Sequence, residues 1–69
     1  MKIACTSNGV AAQVVGLLTH HGVSRGVSWE DGSPLDPQAW LFVTAVIDPT
    51  VEAAIRRDIE TIVGASIED

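Results

Sequence analysis

Residues 7–27, SNGVAAQVVGLLTHHGVSRGV, constrain this chain more than any other stretch. Val10, Val14, Leu17, Leu18 and His21 recur at a spacing of about 3.6, with Ala11 and Val15 at the edge of the stripe. Gln13, Thr19 and His20 fall towards the other side. The pattern predicts one amphipathic helix of about three turns. Ser7-Asn8-Gly9 before it is turn chemistry, because Asn and Gly tolerate positive φ, and Ser7 or Asn8 suits the helix cap. Gly22 is the expected stop. The spacing then becomes an alternation, with Val23, Arg25, Val27 and Trp29 on one side and Ser24, Gly26 and Ser28 on the other. That predicts a half-exposed or edge strand over 23–29, with Gly26 inviting a bulge.

The rest of the chain repeats this unit in outline. Residues 1–6 are short and apolar and read as a first strand. Residues 30–38, EDGSPLDPQ, read as a polar loop because of Gly32, Pro34 and Pro37. Residues 40–47, WLFVTAVI, are almost wholly apolar and β-forming. A strand apolar on both faces belongs in the middle of a sheet, and if helices cover one face something must cover the other. Asp48-Pro49 marks a helix start, with Asp48 as cap and Pro49 at the first helical position. Val51, Ile55, Ile59, Ile62 and Val63 form the apolar stripe of this second helix, and Gly64 is its expected end. Glu52 and Arg56 make an i,i+4 pair that contributes about 0.3–0.5 kcal/mol. Residues 65–68 then read as a short final strand. The order β-α-β-β-α-β predicts an α+β, ferredoxin-like domain over residues 1–69. Right-handed crossovers place the first and third strands in the centre of a four-stranded antiparallel sheet, with both helices on one face.

A chain of 69 residues buries only roughly 60% of its unfolded surface. Small domains compensate with disulfides, a metal or a partner. The single cysteine, Cys5, precludes an internal disulfide, and no Cys/His spacing fits structural zinc. No metal or cofactor is therefore expected. Hydrophobic residues at 46% against 19% charged exceed what a small monomer can hide, so a partner subunit, most simply a homodimer, is expected. Four basic residues face nine acidic ones, a net charge of −5, which disfavours nucleic acid and anionic membrane surfaces as partners. No apolar run approaches the ~20 residues of a spanning helix. The apolar start is broken at residues 6–9 and lacks a signal-peptide core, so a cytoplasmic setting with a reduced thiol is expected.

The run Gly9-Val10, then VVGLLTHHGV and a strand, resembles the ACT domain family. The pattern there is a turn ending in glycine, an apolar helix with a Leu-Leu pair, and Gly-Val before the second strand. AWLFVTAVIDPTVEAAIRRDIETIVG is similar to the second half of such domains. The resemblance implies a regulatory domain that pairs, often side by side into one continuous sheet. It implies a small effector, frequently an amino acid, bound between protomers to regulate an associated metabolic enzyme. Carried over, the contacts are Thr6, Ser7, Asn8, Gly9 and Val10 before helix one, and Gly22, Val23 and Ser24 at the start of strand two. The chain departs from the family at Thr6 and Ser24, where an acidic or amide group is usual, and at Asn8, where Pro is usual. The alternative is an interaction module of the same fold with no ligand.

Other residues carry chemistry in principle. Cys5 reads as a small buried hydrophobe. His20 and His21 point about 100° apart on a helix and cannot easily share one ion; they read as capping or solvated groups, or as a pH-sensitive contact. Trp29 and Trp40 form a cross-strand pair or lie at an interface. Glu30, Asp31 and Asp36 lack the spacing of a calcium loop and read as solvated, as do Arg56 and Arg57. No Ser/His/Asp set or phosphate loop occurs, so catalysis by this chain alone is not expected.

Overall fold

The computed structural model describes residues 1–32, 35 and 40–68. The elements run β1 (Lys2–Cys5), α1 (Asn8–His20), β2 (Ser28–Asp31), β3 (Leu41–Thr44), α2 (Pro49–Ile59) and β4 (Ala65–Glu68). The strands form one antiparallel sheet in the order β2-β3-β1-β4. This is the ferredoxin-like arrangement, with β1 and β3 central as expected. No helix among the described residues is long and apolar enough to cross a membrane.

The register explains the core. Directly opposed residues of an antiparallel pair share a face. Ile3 lies opposite Val43 and Ile67, and Cys5 opposite Leu41 and Ala65. These side chains meet Ala11, Val14 and Leu18 of α1 and Ile55 and Ile59 of α2 in one cluster. Ala4 is also fully buried, but on the opposite face, a single methyl between its ladder neighbours Phe42 and Ser66.

Ser7 caps α1: its backbone is extended, and its Oγ accepts a hydrogen bond from the Val10 N–H at 3.2 Å. None of Ser7, Asn8 and Gly9 adopts positive φ; the chain bends at Thr6 and Ser7, and Asn8 and Gly9 belong to the helix. The helix ends in a Schellman motif. Gly22 sits at φ +82°, its N–H donates to the Thr19 carbonyl at 2.9 Å, and the Val23 N–H donates to the Leu18 carbonyl at 2.8 Å.

That motif overturns the expected start of strand two. Val23 is tied back to the helix, and Gly26 at φ +71° departs from extended geometry, so the ladder begins at Ser28 and takes in Glu30 and Asp31. The remainder of the expected loop, residues 33, 34 and 36–38, lies outside the described residues. β3 is shorter than the apolar run that encodes it. It covers Leu41–Thr44, and Val46 beyond it is 80% exposed.

Asp48 caps α2 and Pro49 opens it: Asp48 Oδ1 accepts from the Thr50 N–H at 2.9 Å and from the Thr50 hydroxyl at 2.8 Å. Arg56 Nη2 donates to Glu52 Oε1 at 3.3 Å, the expected pair. The helix stops at Ile59 rather than near Gly64. Both the Thr61 N–H and hydroxyl donate to the Asp58 carbonyl, and the Ile62 N–H donates to the Ile59 carbonyl, which tightens the chain into turns. Ile62 still packs on the core, whereas Val63 is exposed.

The helix layer is displaced towards one edge. α1 lies over β3, β1 and β4, and α2 lies against β4 and α1. Neither helix reaches β2, whose four residues are all exposed. The face away from the helices carries Lys2, Thr44, Ser28, Glu30, Ser66 and Glu68 around Phe42. The Lys2 ammonium stands 4.2 Å from the Phe42 ring centroid, a cation–π contact, and Ser28 and Thr44 hydrogen-bond through their hydroxyls. The outer face over these strands is therefore mixed polar; among the described residues the exposed large apolar side chains are Trp29, Leu35, Trp40, Val46 and Val63.

Candidate functional site

The two segments expected to contact an effector lie at opposite ends of α1. A helix of 13 residues is about 20 Å long, so residues 6–10 and residues 22–24 do not meet within one chain.

The first segment is partly committed to the fold. The Thr6 N–H donates to the Gly64 carbonyl at 3.0 Å. Gly64 is at φ +93°, and a Cβ there would stand 2.5 Å from Thr6 Oγ1 and 3.0 Å from Val10 Cγ2. Thr6 and Val10 are half-buried under this glycine, while Ser7, Asn8 and Gly9 are exposed. The Val10 N–H is occupied by the Ser7 cap. A Cβ added at Gly9 would make only ordinary contact, with Ser7 Oγ at 3.7 Å.

The second segment lines a depression of about 300 Å³ together with Arg25, Val46 and Asp48. These three residues were not among the expected effector contacts. Val46 and Asp48 follow β3 and reach the α1–β2 connection through topology, which no local spacing reveals. Asp48 sits with its carboxyl below the usual carboxylate range, held there by the Thr50 backbone and hydroxyl hydrogen bonds. A second depression, of about 340 Å³, lies between α2 and β4 and is lined by Arg56, Ile59, Glu60, Ala65, Ser66 and Ile67.

His21 is neither a solvated group nor a simple cap. Its Nε2 lies 2.8 Å from Asp58 Oδ2, joining the end of α1 to α2 across 37 residues of sequence. His20 is exposed and meets the His21 ring edge-on at 5.6 Å between centroids. Among the described residues no group of three His, Cys, Asp or Glu side chains could hold a metal ion; Asp36 lies outside them. Cys5 has no exposed surface, and burial pushes its thiol pKa up, which keeps it protonated and unreactive.

Trp29 and Trp40 are not cross-strand partners. Trp29 lies opposite Val43, and the Gly32 N–H donates to the Trp40 carbonyl at 2.8 Å, which sets Trp40 opposite Gly32. Each indole is about half exposed, at 50% and 49%.

Comparison with protein-family models, with curated proteins and with solved structures gives no match.

Proposed function

We propose that this chain is a small regulatory module of ACT type. It pairs with a second copy through the free edge of β2 and takes up a small effector, such as an amino acid, where the copies meet, so as to regulate an associated enzyme. The observation that carries this reading is the bare β2 strand, exposed at every position and carrying the half-exposed indole of Trp29. Half-exposed indoles beside an unpaired strand edge are what an interface supplies and a finished monomer avoids.

The separation of the two effector segments supports the same reading. β1 and β2 each run antiparallel to β3 and so parallel to each other. Residues 6–10 therefore leave the sheet at the Asp31 end of β2, and residues 22–24 approach it at the Ser28 end. An antiparallel twofold across β2 reverses one copy, which brings residues 6–10 of one copy to the same end as residues 22–24 of its partner. An effector that binds only the paired state stabilises it, and shifts an attached enzyme by its differential affinity.

The second reading is pairing without a ligand. It is favoured by the packing of Thr6 and Val10 under Gly64, which leaves only Ser7, Asn8 and Gly9 of that segment open. Thermal-shift measurement against the twenty amino acids separates the two. A raised Tm with one or a few of them supports effector binding; no shift at millimolar concentration supports the ligand-free module.

A further inference from the structure

The hydrogen-bond pattern determines which backbone groups each edge of the sheet leaves open. β1 and β4 pair residues whose numbers sum to 70, so Thr6 and Gly64 are partner positions, and the bond from the Thr6 N–H to the Gly64 carbonyl marks a hydrogen-bonded pair. Bonded and non-bonded pairs alternate along an antiparallel ladder. Ser66 and Glu68 therefore also bond towards β1, while Ala65 and Ile67 turn their backbone groups outward. The Ala65 N–H is taken by the Ile62 carbonyl at 3.2 Å. The Ala65 carbonyl and both backbone groups of Ile67 remain for an incoming strand. At the other edge the numbers sum to 72, and the bond from the Gly32 N–H to the Trp40 carbonyl plays the same part, so Trp29 and Asp31 point outward there.

The helices cover the inner face of β4 but not its edge. Beside that edge lies the depression of about 340 Å³ between α2 and β4, to which Ile59, Ala65 and Ile67 give an apolar lining and Arg56 and Glu60 give charge. The Arg56 guanidinium is held by Glu52 at 3.3 Å. Glu60 is exposed, and among the described residues no cation stands at ion-pair distance from it. Glu68, exposed on the outer face of the same strand, is also unpaired: its ladder partner Lys2 holds its ammonium over the Phe42 ring instead. The open edge thus carries a carboxylate without a counter-charge on each side of the sheet, in a chain of net charge −5.

We propose that the β4 edge docks an extended segment of a partner protein that carries two consecutive basic residues. In an antiparallel fit, one basic residue lies opposite Ile67 and exchanges both backbone hydrogen bonds with it. Its side chain falls on the helix side, the aliphatic stem along Ile67 in the depression and the charged head at Glu60. The residue before it lies opposite Glu68 on the outer face. Successive strand residues point to opposite faces, so a dibasic pair meets both carboxylates at once. Backbone bonds at the edge supply affinity and the alternate side chains supply specificity. A second copy is disfavoured as the occupant, because its own open edges carry Glu30, Asp31 and Glu68 and would set like charges together. The docking uses the opposite edge of the sheet from β2 and stands whether or not the chain pairs there.

Titration of the blocked peptide Thr-Val-Lys-Lys-Val-Thr into the full chain, followed by amide NMR, tests this. The Ile67 amide is expected to shift and to gain exchange protection, the amides around Glu60 to shift, and those of Trp29 and Asp31 to stay unchanged. The peptide Thr-Val-Glu-Glu-Val-Thr should leave Ile67 unchanged at the same millimolar concentration. Glu60→Gln and Glu68→Gln, at exposed positions, should each weaken binding several-fold without altering the rest of the spectrum, and added salt should weaken it further. No change at Ile67 with millimolar Lys-Lys peptide overturns the proposal, as does an equal response to the Glu-Glu peptide. Shifts confined to Trp29 and Asp31 move the contact to β2 and overturn it. Protection of Ile67 that grows with protein concentration alone gives the edge to a second copy, which also overturns it.

Discussion

The two edge strands, β2 and β4, are each four residues long and end the same sheet. They differ in what lies above them. β4 sets Ala65 and Ile67 against both helices and alternates half-buried with exposed; β2 sets Trp29 and Asp31 towards the same layer and meets no helix. An edge strand with small aliphatic residues under a helix has its inner face covered by its own chain. One with a half-exposed indole and an exposed carboxylate is left uncovered by its own helices. The contrast divides the molecule into a packed part, which supplies stability, and a bare edge, which the proposed pairing uses.

The largest effect should separate these parts. Ile3→Ala removes a fully buried side chain from the centre of the sheet and should cost roughly 2–5 kcal/mol in denaturant unfolding. Trp29→Ala should leave the secondary structure intact and cost far less at low concentration, while abolishing association in sedimentation. Equal losses of stability would erase the distinction.

The glycines give the next comparison. Gly22 and Gly64 both hold positive φ, but an added Cβ meets nothing within 4 Å at Gly22 and strikes Thr6 and Val10 at Gly64. Gly22→Ala should cost about 1–2 kcal/mol from backbone strain alone. Gly64→Ala should cost more, because it also opens the contact between the β4 turn and the start of α1. Equal Tm values for the two variants would show that this contact is loose.

His21→Ala should cost about 1 kcal/mol by removing the hydrogen bond to Asp58, with the loss confined to the packed part. An unchanged Tm would mean that the two helices are held by apolar contacts alone.

The titrations are the smallest effects. Cys5 has its pKa raised by burial, so above the usual thiol range the unfolded chain loses a proton that the folded chain keeps. Its contribution is fully present below that range and lost as pH rises. Asp48 has its pKa lowered, so its contribution is present above the usual carboxylate range and lost as pH falls through its folded value. Stability profiles against pH should decline at both ends. Asp48→Ala should flatten the acid limb, and Cys5→Ala the alkaline one.

Much of this was legible in the chain. The helix caps at Ser7 and Asp48, the Gly22 stop, the element order and the central position of β3 follow from spacing and turn chemistry. Local spacing does not report where the helix layer comes to rest. The outer-face partners of β3 are Ser28, Glu30, Lys2 and Ala4, three of them polar, so its apolar run did not make a wholly apolar outer face. The His21–Asp58 pair joins residues 37 apart, a distance no motif spans. The start of β2 was misplaced because Val23–Trp29 alternates well enough, yet the Val23 N–H is claimed by the end of α1. The effector segments were read from resemblance. Their separation along α1 shows only that one chain cannot unite them.

Amide hydrogen exchange as a function of protein concentration tests the central claim most directly. The Trp29 and Asp31 N–H groups should exchange quickly in dilute solution and become protected as concentration rises through the micromolar range. The β1 and β3 amides, bonded within the chain, should be protected throughout. If Trp29 and Asp31 show the same protection at every concentration, β2 is not a pairing edge.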